Sequence, residues 1–196
     1  RAAHPAVARP LYSGERYSHD RIRVAYVSGD FCVHAVAFLI AGVFEHHDKS
    51  KFETFGISYS PKDGSAMQAR LERAFSRFID VREMSDAAVA AMLREMEIDI
   101  AIDLKGYTGG ARSEILAYRP APIQVQYLGY PGTMGTSYLD YLIADPIVIP
   151  ENERVFYSEQ IVYLPDAYQA NDDKREIAAT GVTRAQAGLP DDGFVF

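Results

Sequence analysis

Arg23-Val24-Ala25-Tyr26-Val27-Ser28-Gly29-Asp30 is a short apolar run delivered into a turn, and it reads as a buried strand. Ala35 to His47, just beyond, is apolar nearly all round and reads as a buried helix. The same alternation then recurs. Phe52 to Tyr59 is a second strand, closed by Ser60-Pro61-Lys62-Asp63-Gly64. Ala66 to Phe75 places Met67, Leu71 and Ala74 at helical spacing, and Phe78-Ile79-Asp80 is a short third strand. Ser85-Asp86 starts a helix whose Val89, Met92, Leu93 and Met96 repeat on one face. Ile98 to Leu104 is a fourth strand, Ala111 to Tyr118 a short helix stopped before Pro120, Ile123 to Leu128 a fifth strand and Tyr141 to Asp145 a sixth. Ile161 to Leu164 reads as a short extended segment. Strands alternating with helices make βαβ units, and right-handed crossovers place helices on both faces of the sheet. The expected fold is α/β, a Rossmann-like open parallel sheet.

The chain has 196 residues, of which 48% are hydrophobic and 24% charged, the balance of a globular domain with one good-sized core. A net charge of -7 and the scatter of Lys and Arg among acids argue against a nucleic-acid partner. Cys32 is the one cysteine, which excludes an internal disulfide framework and argues against a cysteine-based metal site. The apolar stretch Ala35 to Phe44 is too short for a bilayer span of roughly 20 residues. No membrane partner is expected, and a reducing cytoplasm is the default compartment. Arg1 to His19 has no period and reads as a linker or packing arm over residues 1–20, before a lobe over 21–180. Thr183 to Gly188 reads as a short helix, and Phe194-Val195-Phe196 as the opening of a strand that belongs to a further unit at 181–196.

Ligands of open parallel sheets bind beyond the carboxyl ends of the strands. Three segments reach that edge: Gly29 to His34, Lys105 to Arg112, and Gly129 to Gly135. His34 stands where a loop meets a helix. Its imidazole could take a proton near neutral pH, or it could cap the helix. Asp103, ending the fourth strand, could orient His34 or bind an acceptor, or could cap the turn after it. Gly106 to Gly110 allows close backbone approach but matches no phosphate-binding fingerprint. Arg112 could meet an anion or pair with Glu114. Tyr130 and Pro131 stiffen a loop suited to sugar or peptide, or to plain turn duty. His46 and His47 read as helix-end residues without chemistry, and Asn171-Asp172-Asp173 as a solvated turn.

Three motifs stand in order: Arg23 to Phe31 with His34, then Asp103-Leu104-Lys105-Gly106-Tyr107-Thr108 with Gly110-Ala111-Arg112, then Arg119-Pro120-Ala121-Pro122-Ile123-Gln124 leading to Tyr127 through Gly135 and Asp140-Tyr141. Together they resemble the catalytic core of the O-GlcNAc transferase family, glycosyltransferase family 41. The likeness runs from about Arg21 to the end, with a compact link after Pro165 like that of bacterial members. It implies the N-terminal half of a GT-B glycosyltransferase, with 181–196 starting the C-terminal catalytic lobe and tetratricopeptide repeats upstream. It implies transfer of N-acetylglucosamine from UDP-GlcNAc, the UDP-sugar donor, to Ser or Thr hydroxyls of a protein or peptide acceptor. The reaction inverts the anomeric carbon and needs no metal or other cofactor. His34 matches the family histidine discussed as general base, with Asp103 beside it on the catalytic side. Tyr107, Thr108, Tyr130, Pro131, Gly132 and Thr133 would line the substrate cleft. Two alternatives stay open: a related protein O-fucosyltransferase using GDP-fucose, and a non-catalytic protein-binding module with a degenerate site.

Overall fold

The computed structural model of the chain describes residues 6–7, 9–176 and 180–195. Seven strands form a single parallel sheet: β1 (Ile22–Ser28), β2 (Phe52–Ser58), β3 (Arg77–Asp80), β4 (Ile100–Asp103), β5 (Ile123–Gln126), β6 (Tyr141–Ala144) and β7 (Gln160–Tyr163). Their spatial order is β3-β2-β1-β4-β5-β6-β7, so the winding direction reverses between β1 and β4. The helices are α1 (Ala35–His46), α2 (Ala66–Ala74), α3 (Asp86–Glu95) and α4 (Glu114–Ala117), followed by a 3-10 turn over Glu151–Phe156.

α1, α2 and α3 each start where a side chain accepts from a free N–H group of the first turn. Ser65 Oγ accepts from Gln68 N at 3.0 Å before α2, and Ser85 Oγ accepts from Ala88 N at 3.3 Å before α3. The strands alternate sides. Val24, Tyr26 and Ile102 pack with Ile40 and Phe44 of α1 and Leu71 of α2, whereas Ala25, Val27 and Ala101 pack with Val89 and Leu93 of α3 and Ile115 of α4. Helices therefore cover both faces, as expected. Phe31, Phe44, Phe75 and Phe78 form an aromatic knot on the α1/α2 face, with Phe44 and Phe75 centroids 4.5 Å apart. Gly56 leaves room for it, because a Cβ there would lie 2.7 Å from the Phe75 and Phe78 rings.

Several boundaries differ from the sequence reading. The helix expected from Ala111 spans only Glu114–Ala117. The Arg112 guanidinium reaches back to Asp86 Oδ1, Val81 O and Met84 O, which holds the preceding residues as a turn. β5 stops at Gln126, because Leu128 adopts φ +69. The segment at Ile161 is a full seventh strand, in register with β6 from Tyr141↔Gln160 to Ala144↔Tyr163. Phe194 and Val195 lie in no strand, and Phe196 is outside the described residues. Thr183 to Gly188 contains a turn rather than a regular helix. The N-terminal arm is packed in place: Leu11 N and Tyr12 N donate to Tyr118 O and Arg119 O, and Arg94 bonds Glu15 and Tyr17.

The segment after β7 crosses back over the sheet. Tyr168 N donates to Asp145 Oδ2 and Tyr127 OH to Tyr168 O. Asp172 then meets Arg70 of α2 at 2.6 Å, and the same guanidinium holds Glu45 of α1 at 2.9 Å. The expected solvated turn at Asn171-Asp172-Asp173 is thus a clamp, with the Asp172 side chain only 5% exposed. Arg70 holds both carboxyls well below their ordinary range, Glu45 and Asp172 each at about 2. Stability from such depressed carboxylates is present above their unfolded values and is lost as pH falls through the folded ones. Arg70→Met is expected to lower unfolding free energy at pH 7 by on the order of 2 kcal/mol. It should also flatten the loss of stability between about pH 4.5 and pH 2, both read by urea unfolding across pH.

Candidate active site

Because β1, β4 and β5 run parallel, the segments that follow them leave the same edge of the sheet. The reversal between β1 and β4 opens a crevice there. Contacts tie the three loops together. Lys105 Nζ, from the loop after β4, lies 2.8 Å from Asp30 Oδ1 in the loop after β1. Gly106, at φ +56, sits so close to Tyr130 in the loop after β5 that an added Cβ would lie 2.5 Å from the Tyr130 Cβ. Tyr107 and Tyr130 rings meet edge-on with centroids 5.9 Å apart, and Tyr107 OH donates to Met134 O at 2.8 Å.

His34 is the N-cap of α1. Its Nδ1 accepts from Val36 N at 3.2 Å and stands 3.6 Å from Asp30 Oδ2. The side chain is 42% exposed at the rim, and Nε2 makes no hydrogen bond among the described residues. His34 is therefore both a cap and an open imidazole.

Asp103 is placed differently. It is buried, and Oδ1 accepts from Lys105 N at 2.8 Å and Gly106 N at 3.2 Å. Burial pushes its carboxyl above the ordinary range, against the two N–H bonds and the Lys105 charge. The carboxylate shapes the turn that aims Lys105. Thr108 Oγ1 donates back to Lys105 O at 3.0 Å and closes the same turn.

The loop after β5 is set by buried side chains that the sequence reading passed over. Gln126 Nε2 donates to Tyr130 O at 2.5 Å and Gly132 O at 3.0 Å. Buried Glu159 accepts from Met134 N at 2.8 Å and from Thr133 Oγ1 at 2.7 Å. Pro131 is held outward and exposed, with Gly132 and Thr133 partly covered. Gly129 passes directly beneath the Leu104 carbonyl, where a Cβ would overlap the oxygen. Arg112 and Tyr59 belong to the structure behind the site, the guanidinium lying 5.5 Å from the ring centroid. Arg112 pairs with Asp86. His47, read as a helix-end residue, bonds Tyr26 OH at 2.7 Å, and His46 bonds Asp173 at 3.0 Å, both away from the crevice.

Two charged groups of this crevice, Asp30 and Lys105, had no assigned role in the sequence reading. The signals were present: an acid four residues before the histidine, and a lysine at the first turn after a central strand.

The model of glycosyl transferase family 41 matches residues 9–185. The chain belongs to that family. It is 40% identical over 90% of its length to a probable UDP-N-acetylglucosamine--peptide N-acetylglucosaminyltransferase, SEC, of Arabidopsis thaliana, and covers 18% of that protein. It is 35% identical over 83% of its length to the UDP-N-acetylglucosamine--peptide N-acetylglucosaminyltransferase of Caenorhabditis elegans, and covers 14% of it. Among solved structures it is similar to the K341M mutant of the Thermobaculum terrenum O-GlcNAc transferase, with a TM-score of 0.74 and 32% identity, over 86% of this chain and 31% of that one. The chain thus spans less than a third of the length of each of these relatives.

The turn after β4 gives a direct test of the Asp103 geometry. Asp103→Asn keeps an acceptor for both N–H groups and is expected to stay within about 1 kcal/mol of wild type, whereas Asp103→Ala leaves them unsatisfied and costs about 2–4 kcal/mol. Urea denaturation of the two variants reads the difference.

Proposed function

We propose that this chain is the N-terminal catalytic lobe of an inverting glycosyltransferase. The full-length enzyme moves N-acetylglucosamine from UDP-GlcNAc to Ser or Thr hydroxyls of protein acceptors. The observation that carries this reading is the meeting of the loops after β1, β4 and β5 at one crevice, with an open imidazole on its rim. The names of the relatives, UDP-N-acetylglucosamine--peptide N-acetylglucosaminyltransferases, support the choice of donor and acceptor. A second, C-terminal lobe would close the crevice from the other side and supply most donor contacts. Tetratricopeptide repeats would precede the lobe, and the reaction would proceed without a resident metal, in the cytoplasm. Among the described residues no helix is long and apolar enough to cross a membrane.

In this reading the acceptor hydroxyl approaches His34 at Nε2, the ring nitrogen that faces away from the Nδ1 contacts with Val36 N and Asp30. The exposed Gly109, Gly110 and Pro131 offer backbone and a rigid ring to the substrates, while Tyr107 and Tyr130 form the wall between them. Thr108, Gly132 and Thr133 shape that wall, with both hydroxyls bonded within the protein. Half a cleft cannot position two reactants, so activity belongs to the complete enzyme.

His34 also caps a helix, so the informative replacement is one that keeps a cap. Asn is a strong N-cap residue. In the full-length protein, His34→Asn is expected to reduce transfer from UDP-GlcNAc to a peptide acceptor by about 10²- to 10⁴-fold while melting close to wild type. A folded variant that transfers at the wild-type rate would refute the assignment.

A further inference from the structure

Asp30 and Lys105 face each other across the point where the sheet reverses, and neither is needed to close a turn by its side chain. The Asp30 and Lys105 side chains are only 8% and 10% exposed. Burying two charges costs more than their attraction returns unless the geometry is good, so such a pair is weak evidence for stability alone. The position of the second carboxylate oxygen gives it another use. Oδ1 holds Lys105 Nζ at 2.8 Å, while Oδ2 stands 3.6 Å from His34 Nδ1. The competing partner of that nitrogen is the Val36 N–H at 3.2 Å.

These two partners ask for opposite proton placements. A ring nitrogen that accepts from Val36 N–H carries no proton, so the neutral ring then bears its proton on Nε2 and can only donate there. A ring that donates from Nδ1 to Asp30 leaves the Nε2 lone pair open to accept. Only the second arrangement can take a proton from a hydroxyl. We propose that the Lys105–Asp30 pair is a positioning device for His34: Lys105 anchors Asp30, and Asp30 sets the orientation and tautomer of the imidazole without touching substrate. This rests on the proposed transferase reading. Other charged groups near the loop are Asp63, whose Oδ2 accepts from Val33 N, and Asp103, whose carboxylate is bonded to the Lys105 and Gly106 N–H groups. Both are engaged with backbone N–H groups, so Asp30, 3.6 Å from Nδ1, is the carboxylate placed to act on the ring.

In the step this serves, the acceptor hydroxyl proton passes to Nε2, and the hydroxyl oxygen bonds the anomeric carbon as the bond to the UDP oxygen breaks. The UDP leaves with the electron pair, and the doubly protonated ring is held through Nδ1–H by Asp30. The loops after β1 and after β4 must keep their spacing for this to work, which is what the Lys105–Asp30 link provides.

The test uses the full-length protein. Asp30→Asn/Lys105→Met removes both members of the pair together, so neither is left buried without the other, and Asp30→Asn by itself, which keeps an acceptor for Lys105, is the second variant should the double one fold poorly. The expected result is a folded protein with kcat lowered at least about 100-fold, KM for UDP-GlcNAc within about threefold, and little further loss when His34→Asn is added. Ring-nitrogen NMR of ¹⁵N-histidine protein should show His34 exchanging between the two proton placements in the wild type and confined to the Nε2–H form in the variants. Wild-type kcat in a folded variant, or unchanged His34 ring signals, overturns the proposal. A wild-type protein that transfers no sugar while its His34 signals still respond to loss of the pair would instead refute the transferase reading and uphold the positioning role.

Discussion

Everything at the crevice depends on the parallel pairing of β1 with β4. Val24 to Val27 of β1 lie in register with Ile100 to Asp103 of β4. β2 and β3 are wound outward on one side, and β5 to β7 on the other. Connections that leave the two central strands must therefore turn away from each other, and the gap between them is the place a ligand can enter. The fold thus brings Asp30 and Lys105 within 2.8 Å although 75 residues separate them in the chain.

Around that gap, each loop is held by groups that are themselves buried. Asp103 bends the chain after β4, Gln126 and Glu159 shape the loop after β5, and Ser60 Oγ and Gln68 fix Phe31 after β1. The glycines matter where backbones cross: Gly129 under the Leu104 carbonyl, and Gly106 against Tyr130. A site built this way has its first contacts on rigid supports, which favours a preorganised geometry. His34 is the exception, since its two possible Nδ1 partners leave the ring a choice.

The alternation of apolar runs made the fold legible in the sequence. β1, β2 and α1 were readable almost to the residue because their buried positions are largely apolar and turn residues follow them. The edge was harder. β7 carries Val162, which is exposed, beside Ile161 and Tyr163, so its pattern looked like a loose extended segment until pairing with β6 supplied the ladder. α4 was overestimated because helical propensity cannot show that Arg112 is drawn back to Asp86 and two carbonyls. At the site, the position of His34 and of the three loops followed from strand ends. The Lys105–Asp30 pair and the crossing of Asp172 to Arg70 did not, because long-range ion pairs leave no local periodicity.

The central claim is that the carboxyl-end crevice between β1 and β4, rimmed by the loop after β5, is where sugar and acceptor meet. A structure of the full-length protein with a non-transferable UDP-GlcNAc analogue and an acceptor peptide tests it most directly. The account predicts the acceptor hydroxyl within hydrogen-bond reach of His34 Nε2, and the sugar against the Tyr130–Thr133 loop. Reactants bound at the opposite edge of the sheet, beside Arg21 and Glu53, would contradict it.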